Sequence, residues 1–97
     1  MTAQDKDEHP LREGYYVQLP KRKGWDHGKV VSIEAVMEEL DWYRVRVLCE
    51  RGIRIVDASD CEVVSPKQGK LRKGWVIRID GLAQEYNQPP RRRQGNL

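Results

Sequence analysis

The residues in this sequence that are best suited to chemistry are three consecutive cations followed by a glycine and a tryptophan. Lys21, Arg22 and Lys23 directly precede Gly24 and Trp25. Ammonium and guanidinium groups neutralise phosphates, and an indole face stacks on unpaired bases. The segment therefore predicts a loop that contacts nucleic acid. The other interpretation is that these cations only solvate a small β domain and protect its edge strands.

Residue types that serve in catalysis are present, but their spacing matches no catalytic or metal-binding motif. His9 and His27 stand apart from any nucleophile, and the sequence contains no phosphate loop, no nucleophile elbow and no His-Glu-x-x-His. Cys49 and Cys61 do not have a zinc-site spacing and are interpreted as reduced core residues. We therefore expect a binding protein without a cofactor or a metal, and not an enzyme.

Charge is distributed unevenly along the 97 residues, which fit one domain. Residues 34–65 contain four basic and eight acidic residues, whereas residues 66–97 contain eight basic and two acidic ones. An acidic centre with basic flanks favours a polyanionic partner. The sequence has neither a run of about 20 apolar residues nor a secretory leader, so we expect a cytoplasmic protein with no membrane partner.

Alternation of apolar and polar residues predicts six short strands. They are expected at residues 15–19, 29–33, 42–48, 53–56, 61–64 and 75–79. The clearest pair is the hairpin of residues 42–48 with 53–56. Its predicted core residues are Tyr43, Val45, Val47, Ile53 and Ile55, packed with Val17, Val30 and Val63. Its predicted polar face carries Arg44, Arg46 and Arg54.

Two segments allow more than one interpretation. Residues 34–41 carry apolar residues at helical spacing between acidic ones, which indicates either a short helix or a long acidic loop. Residues 11–19 and 71–79 both read Leu-Arg-charged-Gly-aromatic followed by an alternating run. That echo is either a coincidence or the sign of an additional strand at a sheet edge. Asp57 to Asp60 is interpreted as a single 3₁₀ turn.

The order of these elements resembles the SH3-like barrel superfamily of the KOW or Tudor type. The segment from Gly14 through Gly24 to Gly28 resembles a KOW motif, and the pattern from Trp25 to Val56 resembles a Tudor domain. The resemblance covers residues 13–64. It implies a mostly β fold, a small five-stranded barrel, to which we add one extra C-terminal strand and disordered ends. KOW domains bind RNA or ribosomal and transcription proteins, and Tudor domains bind methylated side chains.

The predicted organisation is a disordered tail at residues 1–10, a barrel at 11–66, a linker and additional strand at 67–85, and a basic disordered tail at 86–97. The main functional hypothesis is a module that binds RNA or DNA. The alternative is a protein-interaction or regulatory subunit that docks on a larger complex. The residues expected to contact nucleic acid are Lys21, Arg22, Lys23, Trp25, Lys29, Arg44, Arg46, Arg54, Arg91, Arg92 and Arg93.

Overall fold

The computed structural model describes residues 3–64 and 73–87, which form five antiparallel strands in one sheet and one α helix. The strand order is β4-β3-β2-β1-β5. The mostly β fold predicted from the sequence is confirmed. The strands are β1 Tyr16–Gln18, β2 His27–Met37, β3 Trp42–Cys49, β4 Gly52–Asp57 and β5 Glu62–Val64, and the helix is α1 Lys73–Asn87.

Strand β3 supplies the centre of the core because its side chains alternate between the two faces of the sheet. Tyr43, Val45 and Val47 are buried, as predicted, and they pack with Val17 and Val30. The intervening arginines of β3 are exposed on the outer face. Apolar burial on the inner face is the main stabilising contribution in a domain of this size.

The prediction that Ile53 and Ile55 belong to this core is wrong. Their exposed fractions are 36% and 55%. In the register of the hairpin, Val47 lies opposite Arg54 and Val45 lies opposite Val56. Residues that face each other across a ladder point to the same side, so the isoleucines lie on the outer face.

Residues 34–41 are neither a helix nor a loop throughout. Strand β2 continues to Met37, in register with β3, and a 3₁₀ turn at Glu38–Leu40 follows. Asp41 then adopts a left-handed conformation with φ 51° before β3 begins. The apolar residues at helical spacing are therefore accommodated in an extended ribbon, where all side chains of residues 34–42 are exposed.

The predicted sixth strand at residues 75–79 is wrong, because these residues lie in α1. Ile79 and Ala83, one helical turn apart, have exposed fractions of 0% and 5%. This i, i+4 pair defines the buried stripe of the helix. The echo between residues 11–19 and 71–79 therefore does not correspond to two strands; residues 65–72 lie outside the described residues.

Helix α1 packs against the outer face of the sheet, where it contacts β2 and β3. Leu48 is buried on this face although it lies outside the main core cluster. Asp80 accepts hydrogen bonds from the hydroxyl of Tyr16 and from Nζ of Lys29, the latter at 3.1 Å. Arg78 forms an ion pair with Glu50. The helix thus covers one end of the outer face and leaves the end at Arg44 uncovered.

The N-terminal segment is ordered from residue 3 onward, contrary to the prediction of a disordered tail. Ala3 and Asp5 are each 4% exposed. The Asp5 carboxylate accepts backbone N–H groups from Asp7, His9 and Val63 at 2.7–2.9 Å. A buried carboxylate that accepts several N–H bonds fixes the chain around it. Of the basic C-terminal tail, residues 88–97, with Arg91, Arg92 and Arg93, lie outside the described residues.

Candidate nucleic-acid interface

An open groove of about 690 Å³ runs along β4 and brings together several of the predicted site residues. We refer to it as the β4 groove. Strand β4 provides its floor, and the loop between β1 and β2 provides one wall. Its lining includes Arg22, Trp25, Arg44, Ile53, Arg54 and Ile55.

Arg54 connects strand β4 to the loop between β1 and β2. Its Nη1 donates to the carbonyl oxygens of Pro20 at 2.8 Å and Trp25 at 3.0 Å. The prediction that Arg54 projects from the same face as Arg44 and Arg46 is wrong, because the β4 register directs it to the inner side. Its guanidinium is already engaged with backbone acceptors, so its main role is to position the loop.

Trp25 is half-buried and packs against the core. The guanidinium carbon of Arg22 lies 5.3 Å from the centre of its ring, which is cation–π geometry. Arg22 and Trp25 therefore form one stacked unit at the wall of the groove. The indole is anchored in the domain rather than extended into solvent, so its removal is expected to affect stability as well as binding.

Arg51, in the turn between β3 and β4, was missed by the sequence analysis. Its backbone N–H donates to the carbonyl of Gly24 at 3.2 Å, and its side chain lies across Gly24. A Cβ at position 24 would approach Cδ of Arg51 to 2.7 Å, and Gly24 also has a φ of +82°. The close contact needs a glycine, and it places a further cation beside the loop. No local sequence pattern indicates it, because the two turns are distant along the chain.

The remaining cations of the site lie on exposed surfaces near the groove. Lys21 and Lys23 are exposed in the loop. Arg44 and Arg46 are exposed on the outer face, and the guanidinium carbon of Arg44 lies 5.8 Å from the ring centre of Trp42. With Arg22 and Arg51, the two lysines give the loop a positive surface, whereas Arg44 lies between Glu34 and Asp57 in the register of the sheet.

Lys29 is the predicted site residue that the structure places elsewhere. It lies under α1, where its ammonium pairs with Asp80 and stands 5.3 Å from the ring centre of Tyr16. Burial, followed by the hydrogen bond to Asp80, raises the pKa of Tyr16 to about 12. Burial alone would raise the pKa of Asp80, but the bonds from Tyr16 and Lys29 hold it below its ordinary value. Lys29 is therefore used to attach the helix.

The other reactive groups of the described residues are buried or already hydrogen-bonded. Cys49 and Cys61 are free and buried, and burial raises their pKa values to about 11 and about 12. Among the described residues, Asp5, Asp7 and His9 are the group close enough to share a metal ion. The Asp5 carboxylate already accepts hydrogen bonds from three backbone N–H groups. Within residues 3–64 and 73–87, no helix is long and apolar enough to cross a membrane.

The chain matches no protein-family model, no curated protein and no solved structure. The interpretation of the site therefore depends on the geometry and charge of the groove itself. The strongest feature is the convergence of Arg22, Trp25 and Arg44 around exposed aliphatic side chains of β4.

Proposed function

We propose that this chain is a small, non-catalytic module that binds RNA or DNA through the β4 groove and the adjacent loop. The observation that carries the proposal is that Arg22, Trp25 and Arg44 line one groove although they are distant in sequence. Their side chains are of the types that contact phosphates and bases. Proteins that bind single strands combine a positive groove with flat apolar surfaces in this way.

The chemistry of the groove separates into two kinds of contact. Lys21, Arg22, Lys23 and Arg51 surround the loop end and attract phosphates. Ile53 and Ile55 offer apolar contact to unstacked bases, and the exposed part of the Arg22–Trp25 pair adds a planar surface. Asp57 and Asp60 line the opposite end and repel phosphates, so the backbone of a bound strand is expected to follow the loop end.

We propose further that the five strands form an SH3-like barrel of the KOW or Tudor type. Two features support this assignment. Strand β1 lies between β2 and β5, and a 3₁₀ turn at Ala58–Asp60 precedes the last strand. In addition, the Arg54 side chain joins β4 to the β1–β2 loop, which brings the free edge of β4 next to the loop.

The test is binding of labelled single- and double-stranded RNA and DNA, followed by fluorescence anisotropy across a salt series. Replacing Lys21, Arg22 and Lys23 by alanine removes about three phosphate contacts. The slope of log K against log salt should then become shallower by about 2 to 3, with weaker binding on every sequence. Absence of wild-type binding to all four nucleic acids at low salt would rule the proposal out.

A matched control removes the same charge outside the groove. Arg12, Lys73 and Arg78 are exposed and belong neither to the β4 groove nor to the adjacent loop. Their triple alanine variant should keep most of the wild-type salt slope, because only general attraction is reduced. An equal loss of slope in both triple variants would show that net charge, and not the groove, determines binding.

The alternative function, a protein-interaction subunit, is supported by a different observation. Val36, Met37 and Leu40 are exposed at 38%, 43% and 71% in a ribbon that extends beyond the core. Clustered apolar exposure is typical of contact surfaces. Replacing Met37 and Leu40 by serine should not weaken nucleic-acid binding under the main proposal. A wild type that binds no nucleic acid, and a folded variant that loses binding to a protein partner of the wild type, would favour the alternative.

A further inference from the structure

Residues 34–42 form a protruding ribbon with a composition that is complementary to the β4 groove. We call this ribbon the acidic arm. All its side chains are exposed, and it ends in a 3₁₀ turn without a side-chain cap. It combines carboxylates with large apolar side chains. The carboxylates are Glu34, Glu38, Glu39 and Asp41, and the apolar residues are Val36, Met37, Leu40 and Trp42.

The β4 groove and its adjacent loop together carry more cations than carboxylates and have a similar apolar content, with Asp57 and Asp60 at one end of the groove. Arginines 22 and 44 stand beside exposed isoleucines on β4, and further cations lie on the adjacent loop. An apolar ribbon edged with carboxylates would bury its aliphatic side chains on the isoleucines and bring its acids to the guanidinium groups. Complementary potentials of this kind select partners and orient them.

The arm cannot occupy the groove of its own molecule. Its two strands are held in the sheet by pairs such as Glu34 with Arg44 and Ala35 with Tyr43. Arg44 also lines the groove, so both surfaces lie at the same end of the molecule. Two copies facing each other across a two-fold axis can therefore exchange arms, with the same contact made twice, as closed symmetric dimers require.

We propose that this chain forms a two-fold dimer in which the acidic arm of each copy lies in the β4 groove of the other. The inference rests on the groove assigned in the proposed function and adds its regulation. The partner's carboxylates occupy the positions expected for phosphates, so the dimer and the nucleic-acid complex exclude each other. Dimerisation then makes the groove inaccessible to nucleic acid, and a nucleic acid that binds in the groove displaces the partner's arm.

The first measurement is the mass of the wild-type protein by sedimentation velocity over a range of concentrations and salt. Dimers are expected at low salt. They should dissociate as salt is raised, because the Debye length falls from about 10 Å at 0.1 M to about 3 Å at 1 M. A protein that stays monomeric at low salt up to about 1 mM, the weak end of measurable association, overturns the proposal.

The second measurement is complementation between two variants that each lack one surface. The arm variant carries E38K, E39K and L40S, and the groove variant carries R22E and I55E. Each should dimerise with a dissociation constant at least about tenfold weaker than wild type. Mixed together, they should restore a one-to-one dimer, because one intact arm meets one intact groove. Variants that dimerise like wild type, or a mixture that does not associate, overturn the proposal.

Two further readouts separate this proposal from the proposed function. Circular dichroism and thermal unfolding must show that both variants are folded, and all five positions are exposed or half-exposed. The arm variant should bind a single-stranded oligonucleotide at least as well as wild type, since its groove is free. Complementation without any nucleic-acid binding would leave the dimer standing and refute the proposed function; nucleic-acid binding by a strictly monomeric wild type would do the reverse.

Discussion

The two edges of the sheet are treated differently by the rest of the chain. At β5, the N-terminal segment covers the edge: Asp5 accepts the N–H of Val63, and the N–H of Lys6 donates to the carbonyl of Cys61 at 2.9 Å. At β4, no strand of the described residues pairs with the far side, and Ile53 and Ile55 are exposed. Free edges attract other chains unless they are blocked. We therefore expect the β5 edge to contribute to stability and, under the proposed function, the β4 edge to contribute to binding.

The largest loss of stability is expected when the carboxylate that covers the β5 edge is removed. Asp5→Ala deprives three backbone N–H groups of their acceptor in a buried position. We expect the free energy of unfolding to fall by about 2–4 kcal/mol. Urea unfolding measures it. Asp7→Ala, on an exposed neighbour, is the control and should cost less than about 0.5 kcal/mol. Equal effects would mean that Asp5 does not organise the segment.

A second test compares the two faces of the hairpin at the β4 edge. Val47→Ala removes fully buried methyl groups and should lower the free energy of unfolding by about 2 kcal/mol. Ile55→Ala, on the exposed outer face, should change it by less than about 0.5 kcal/mol while weakening contacts made in the groove. Thermal unfolding of both variants measures the two changes in stability, and their ratio compares the buried face with the exposed face. A large destabilisation by Ile55→Ala would place that side chain in the core after all.

A smaller loss of stability than for Asp5→Ala or Val47→Ala is expected at the contact between α1 and the sheet, where the carboxylate is only partly buried. The side chain of Asp80 is 44% exposed, so we expect Asp80→Asn to cost about 0.5–1 kcal/mol at neutral pH. Because the pKa of Asp80 is lowered in the folded state, its contribution is present above the ordinary aspartate value of about 3.9 and is lost as pH falls below it.

The measurement is the difference in unfolding free energy between wild type and Asp80→Asn as a function of pH. The difference should shrink as the solution is acidified through pH 4 and below. Asp5 also has a lowered pKa: burial alone would raise it, but the N–H bonds from Val63, His9 and Asp7 outweigh that effect. Comparing the Asp5→Ala and Asp80→Asn differences over the same range ranks the two contacts. A pH-independent difference for Asp80→Asn would show that its charge does not hold the helix.

The sequence predicts those features of the fold that depend on neighbouring residues, and it does not predict those that depend on contacts between distant residues. The period-two alternation of Tyr43, Val45 and Val47 is a local property, and the structure confirms the face to which each side chain points. The face of β4 depends on the register across a turn, and the expectation for Ile53 and Ile55 was off by one residue. A shift of one position exchanges the two faces of a strand completely.

The same reasoning explains the other differences. The run from Trp75 to Ile79 is rich in β-forming residues, but Ile79 and Ala83 reach a shared buried stripe only in a helix. Asp5 looked like part of a charged tail, because its partner Val63 is far away in sequence. At the candidate site, composition identified Arg22 and Trp25, whereas the positions of Arg51 and Arg54 required contacts between distant loops.

The connectivity of the sheet has a consequence for how the chain folds during its synthesis. Three of the four strand pairings join strands that are adjacent in sequence, and only β1 with β5 joins distant ones. Contacts between distant residues require the costly closure of a long loop and therefore tend to form late. Asp5 is synthesised 58 residues before Val63, so this hydrogen bond between the N-terminal segment and the β5 edge cannot form until almost the whole sheet has been made.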